Sequence, residues 1–313
     1  MPAPDKLPKH HYIPVLYLNE WRRPDGRLTE FSRPTGQAVI PRRTSPKGTG
    51  YVRGLYRLDG SSEETSEAFE RVFFHQVDNL AKDALDICLG RSRWNWTIQT
   101  RSAWSRFVLG LLFRNPERIA ATRKYVEDMA LENYEENEAD YNAKKKLEDP
   151  SFLDYVLGRV QFNTMDFATS VIDNTGMGTH INQMRWSIRD VSDSGISLFT
   201  SDRPIIMTNG LNGPDAHLAL PISPHKVFLA CKNKDQEQKL LAARSSDFAS
   251  ECNKSVLRFA MKYAWNTDDT MINRANEHLG KDTDIGEEFW QAPINRALSN
   301  VEDHPAIEPA AER

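Results

Sequence analysis

Two stretches with strand character, residues 28–57 and 184–231, lie on either side of about 125 residues that read almost throughout as helix. This distribution constrains the fold more than any other feature of the chain. Short strands separated by turn signals, without alternating strand–helix units, argue against a wound parallel sheet. The expected architecture is therefore α+β: an antiparallel sheet from the two strand-rich regions, covered by several helices.

The local signals fill in this outline. Pro14 opens a short helix with Val15, Leu18 and Trp21 on one side, and Arg23-Pro24-Asp25-Gly26-Arg27 is a turn. Strands follow at 28–32, 37–42 and 51–57. From Ser61 and Ser62, candidate caps, apolar residues from Phe69 to Cys88 recur at helical spacing up to a stop at Gly90, with His75 nearly opposite the stripe. Further helices are expected at 97–113, 116–145, 151–174 and 235–263. Ser192-Asp193-Ser194-Gly195 predicts a hairpin joining strands 184–191 and 196–201, with more strands at 205–208, 217–220 and 226–231 and a closing one at 264–266. Trp94, Trp96, Trp104, Phe107 and Phe113 have core-compatible spacing. One compact domain is expected over 1–266, followed by an acidic, partly disordered extension over 267–313 with a single apolar cluster at Phe289-Trp290.

Three widely spaced cysteines, Cys88, Cys231 and Cys252, build neither a disulfide framework nor a metal knuckle, and no apolar run is long enough for a membrane span. A cytoplasmic protein with no membrane partner is the expectation. The net charge of -4 is unevenly distributed. Residues 1–57 carry eleven Lys or Arg against four Asp or Glu, whereas residues 266–313 carry four against eleven. A basic front end suits nucleic acid; the alternative is that the two ends pack together or sit as ordinary solvated surfaces.

Four small constellations could carry chemistry: Lys9-His10-His11-Tyr12-Ile13-Pro14, Arg114 in Phe113-Arg114-Asn115-Pro116, Asp202 in Thr200-Ser201-Asp202-Arg203-Pro204, and His225 after Leu220-Pro221-Ile222-Ser223-Pro224. With these motifs in this order the chain resembles the microbial family catalogued as domain of unknown function 4238, from Lys9 to about Asn266. That family opens with His-His-Tyr-x-Pro, and shares a Thr-Ser-Asp-x-Pro strand end and a Leu-Pro-x-Ser-Pro turn. The acid anticipated near the middle of the 61–88 helix stands here as Asp78, close to His75. The resemblance implies no established activity.

The chemistry must then come from the residues. Adjacent histidines in an extended segment point to opposite sides, so one of His10 and His11 at most serves a given site. With Asp202 it could hold a divalent metal, Mn, Mg or Zn, while Arg114 stabilises phosphate charge and His225 acts as a general base. A metal-assisted phosphodiesterase or nuclease is the leading expectation. The alternative is a non-catalytic ligand-binding or protein-interaction domain in which the same residues line a pocket or fix the fold. No dinucleotide or phosphate-binding glycine loop, nucleophile elbow or zincin helix is present.

Overall fold

Pro14 caps the first helix in extended conformation, its carbonyl accepting from the Tyr17 and Leu18 amides and its missing N–H costing nothing there. Helix α1 (Val15–Leu18) runs on into a 3-10 turn at Asn19–Trp21, and its two large aromatics, Tyr17 and Trp21, are fully buried. In the computed structural model, which describes residues 7–58, 68–132, 134–208, 211, 213 and 215–283, these two side chains join the two main sheets. The Tyr17 hydroxyl meets Thr200 Oγ1 at 2.8 Å and donates to the Pro221 carbonyl at 2.5 Å. Trp21 Nε1 donates to the Leu198 carbonyl at 2.7 Å.

The fold is α+β, with antiparallel sheets packed against helices. A two-stranded ribbon pairs β1 (Lys9–His11) with β4 (Tyr51–Arg53). A four-stranded sheet has β3 (Ile40–Thr44) at one edge, then β2 (Leu28–Ser32), β10 (Tyr263–Asn266) and β6 (Thr200–Ser201). A second four-stranded sheet runs β5 (Arg185–Asp190), β9 (Lys226–Cys231), β8 (His217–Ser223), β7 (Ile206–Thr208). Strand β9 is apolar because both its faces are covered. Val227, Leu229 and Cys231 enter a core shared with Phe31, Phe199 and Ala264, while Phe228 points the other way, edge-on to Trp104 and Trp186 at 5.5 and 5.1 Å.

The central helices are a π-turn at Phe69–Phe74 leading into α2 (His75–Leu89), then α3 (Ile98–Phe113), α4 (Pro116–Leu131), α5 (Tyr134–Lys144), α6 (Phe152–Ile172) and α7 (Thr175–Gln183). Gly90 ends α2 with φ 73°, and Thr97 and Asn115 cap α3 and α4 with their side chains. Beyond the second sheet lie α8 (Lys234–Ala242), α9 (Ser245–Phe259) and α10 (Ile272–His278). Ala249, Cys252, Val256 and Leu257 form the core-facing stripe of α9.

Several local expectations are corrected. The 192–195 turn forms, with Gly195 at φ 68°, but it closes no hairpin: β5 pairs with β9, and β6 belongs to the other sheet. The backbone of 197–199 is satisfied elsewhere. Leu198 N donates to the Pro224 carbonyl, Phe199 N to Asn253 Oδ1, and the carbonyls of Ser197 and Leu198 accept from Asn253 and Trp21 side chains. The strand-rich regions therefore make two four-stranded sheets rather than one. The 235–263 helix breaks where Ala243 and Arg244 turn extended, and the 116–145 helix breaks after Leu131, where Glu132 is extended. Trp104, Phe107 and Phe113 are core, but Trp94 is 78% exposed. The cap candidates Ser61 and Ser62 and the Phe289-Trp290 cluster lie outside the described residues. The described residues up to Thr283 form one compact unit, and no helix among the described residues is long and apolar enough to cross a membrane.

Replacing Tyr17 by Phe leaves the buried Pro221 carbonyl and Thr200 hydroxyl without their partner. The expected cost is about 1–3 kcal/mol of unfolding free energy, read from urea denaturation. A loss below about 0.5 kcal/mol, within the error of such measurements, would show that the sheets are held together without it.

Candidate binding corner around Tyr56 and Arg114

The short pairing of β1 with β4 aligns His10 with Val52 and His11 with Tyr51. His10 is fully buried: its Nδ1 accepts from the Tyr56 amide at 2.8 Å, and its ring lies parallel to the Tyr56 ring, 5.3 Å away. The Tyr56 ring also stacks on Phe74 at 4.4 Å. The Tyr56 hydroxyl donates to the Arg114 carbonyl at 2.8 Å, and burial pushes that phenol well above its ordinary range. His10 thus helps to seat Tyr56, and Tyr56 helps to seat Arg114.

Arg114 stands at the C-cap of α3 and is fully buried. Its Nε donates to the Tyr12 carbonyl at 3.1 Å and its Nη1 to Asp78 Oδ1 at 2.9 Å, while the guanidinium sits 5.7 Å from the centre of the Phe74 ring. Phe74 and Asp78 are four residues apart and meet Arg114 from one helical face. Burial raises the Asp78 carboxyl despite the adjacent guanidinium, which acts in the opposite direction. Arg114 Nη2 is buried and has no hydrogen-bond partner, and the same is true of Arg57 Nε and His11 Nε2. Burial chiefly, with Lys9, Arg114 and His10 adding repulsion, lowers His11 to about 4, while a contact with the Lys47 backbone opposes the shift. The imidazole is therefore neutral near pH 7, with one ring nitrogen open.

Asp202 takes a different position. Its carboxylate accepts three backbone N–H groups, from Met261 at 2.8 Å, Lys262 at 2.7 Å and Tyr263 at 2.9 Å, and its own amide donates to the Tyr263 carbonyl. This fastens the end of β6 to the start of β10. Burial pushes the carboxyl up to about 6 even though the three amides favour the charged form. His225 is exposed in the β8–β9 turn, its amide bonded to Ser223 Oγ and its carbonyl accepting from Val191.

The structure brings His10, His11 and Arg114 into one corner; Asp202 is bonded to the 261–263 turn and His225 to its own turn. Among the described residues no three His, Cys, Asp or Glu side chains gather as a metal-holding group. Two important residues carried no sequence signal, Tyr56 and Arg57, because nothing local distinguishes them from ordinary strand residues. Asp78 did stand out, and it is the ion-pair partner of Arg114.

Asp202→Ala leaves three backbone donors without an acceptor and is expected to cost about 2–4 kcal/mol, a sum of such losses, measured by urea denaturation. The pH response has two opposing parts. For Asp202, raised from 3.8 to about 6, stability is fully present below 4 and is lost as pH rises through 6. For His11, lowered from 6.5 to about 4, stability is present above 6.5 and is lost as pH falls through 4. Between pH 7 and 4.5, His11→Gln is therefore expected to lose less stability than the parent, and Asp202→Asn to gain less. Parallel unfolding profiles for all three proteins would refute both assignments.

No curated protein and no solved structure matches the chain. A family match covers residues 9–270, which takes in the ribbon, both main sheets and the Arg114 corner. The chain belongs to the family described as protein of unknown function, DUF4238.

Proposed function

We propose that this protein is a non-catalytic binding domain whose ligand carries an oxyanion, a phosphate or a carboxylate, received at the Tyr56–Arg114 corner, with Arg57, the residue after Tyr56, supplying a second guanidinium. The observation that supports this reading is that Arg57 Nε and Arg114 Nη2 are buried without a hydrogen-bond partner. A buried unpaired donor costs about 1–3 kcal/mol, and folded proteins keep few of them. An oxyanion is the acceptor that guanidinium groups fit best. Lys9, close enough to His11 to disfavour its protonation, adds positive charge to the corner, and neutral His11 offers an acceptor to a ligand hydroxyl.

In this reading the motif residues maintain the frame. His10 positions Tyr56, Tyr56 positions Arg114, and Asp202 fastens β6 to β10. The metal-assisted nuclease reading needs His10 or His11 and Asp202 around one ion; His10 Nδ1 and the Asp202 carboxylate are taken up by backbone amides, which leaves His11 Nε2 as the open donor atom of that set.

Titration with inorganic phosphate and with acetate, followed by melting temperature, is expected to give a saturable rise in the parent protein. The rise should disappear in Arg57→Gln, which leaves the Arg114 contacts in place, and in Arg114→Lys. No rise, or an equal rise in Arg57→Gln, would overturn the assignment. Cleavage of DNA or RNA that requires Mn, Mg or Zn and vanishes in a stably folded His11→Ala protein would replace it with the hydrolase reading.

A further inference from the structure

A groove of about 650 Å³ opens between the last turns of α2 and the first turn of α3, on residues that the Arg114 corner does not use. At its rim stands Trp94, 78% exposed, with Ile98 nearby at 82%. The exposed indole is informative here because it lines a concave groove with polar neighbours and is not a scattered surface residue.

The loop that carries Trp94 is held at both ends. At its start, the amides of Arg91 and Ser92 donate back to the Asp86 carbonyl at 2.8 and 3.2 Å, and Arg91 forks onto the Glu20 carboxylate. The Trp94 amide donates to Ser92 Oγ at 3.0 Å. At its end, Trp96 packs edge-on against Trp186 at 5.0 Å, Arg101 lies 3.7 Å from the Trp186 ring centre, and Thr97 with Thr100 forms a capping box. This fixed frame sets Trp94 in the lining of the groove.

The remaining lining defines the ligand class. Two carboxylates, Asp83 and Asp86, and two guanidinium groups, Arg91 and Arg93, balance in charge, and Asn95, Thr97 and Thr100 add amide and hydroxyl groups. A nucleic-acid strand requires a groove of net positive charge, and its phosphates would meet Asp83 and Asp86. A purely apolar ligand would leave this polar wall unpaired. The lining suits a neutral molecule with one flat apolar face and several hydroxyls that both donate and accept, set between an indole and carboxylate or amide groups. We propose that the groove between α2 and α3 is a binding site for a neutral saccharide, with a sugar ring on Trp94 and its hydroxyls on Asp83 and Asn95.

The test is indole fluorescence and calorimetry of the full chain with maltotetraose, cellotetraose and chitotetraose, with oligothymidylate as the competing probe. Saturable binding of at least one saccharide, weakened tenfold or more in both Trp94→Ala and Asp83→Asn at unchanged melting temperature, supports the site. Both substituted side chains are exposed, so these proteins should fold as the parent does. Absence of binding by all three saccharides, or binding unaffected by Trp94→Ala, overturns it. Oligothymidylate binding that depends on Trp94 and falls with salt, without saccharide binding, also overturns it, in favour of a nucleic-acid groove. Phosphate titration reads the Arg114 corner separately, so either site can fail alone.

Discussion

The capture of the Asp202 carboxylate by the amides of 261–263 is the constraint on which the rest of the architecture depends. Strand β6 is only two residues long and cannot stay in a sheet through ladder bonds alone. Fastened at its end, it completes the sheet β3-β2-β10-β6, whose middle strand, β10, arrives from the far end of the fold. The same device recurs on the preceding residues, where Asn253 from α9 takes both an amide and a carbonyl of the 197–199 backbone. Irregular backbone can be buried only where side chains supply the missing partners, and here Asp202, Asn253, Trp21 and Tyr17 do so.

With the sheets fixed this way, the ribbon β1–β4 and the end of α3 close on one another through Tyr56. The ring stacks on both His10 and Phe74, and its hydroxyl reaches the carbonyl that ends α3. A fully buried arginine is costly unless paired. Asp78 and the Tyr12 carbonyl occupy two of its three nitrogens and leave Nη2 open. The α2 helix reaches this place through a π-turn, a departure from regular helix that is frequent at functional sites.

Much of the fold was readable from local pattern. Strands 28–32 and 226–231, the stop at Gly90 and the break between helices at Arg114-Asn115-Pro116 depend on periodicity and turn chemistry, which neighbours in sequence carry. The misjudged hairpin at 192–195 shows the limit. Its turn chemistry was correct, but the partners of the following backbone come from Trp21, Pro224 and Asn253, and no local pattern contains them. The candidate site divides in the same way. The histidine pair, Arg114 and Asp202 were visible as unusual residues, whereas their bonds to Tyr56, Asp78 and the 261–263 turn depend on contacts across the fold.

The uneven charge also has a tertiary explanation. Much of the basic front end is engaged within the fold: Arg42 lies on Glu30, Arg43 on Asp25, and Arg53 on the Leu7 carbonyl. Buried Glu30 also accepts from Thr49, whose hydroxyl in turn accepts the Trp265 indole N–H at 2.9 Å, so this pair anchors β2, β3 and β10 together. Other cations reach the acidic end of the sequence. Arg23 faces Asp268, Arg33 donates to the carbonyls of Asn276 and Leu279, and Asn276 accepts from the Val39 amide. Exposed pairs of this kind stabilise by about 0–1 kcal/mol each, so their main effect is on specificity. Contacts from Arg23, Arg33 and Val39 thus tie the basic front end to residues 268–279, and this matching does not use the unpartnered nitrogens of Arg57 and Arg114.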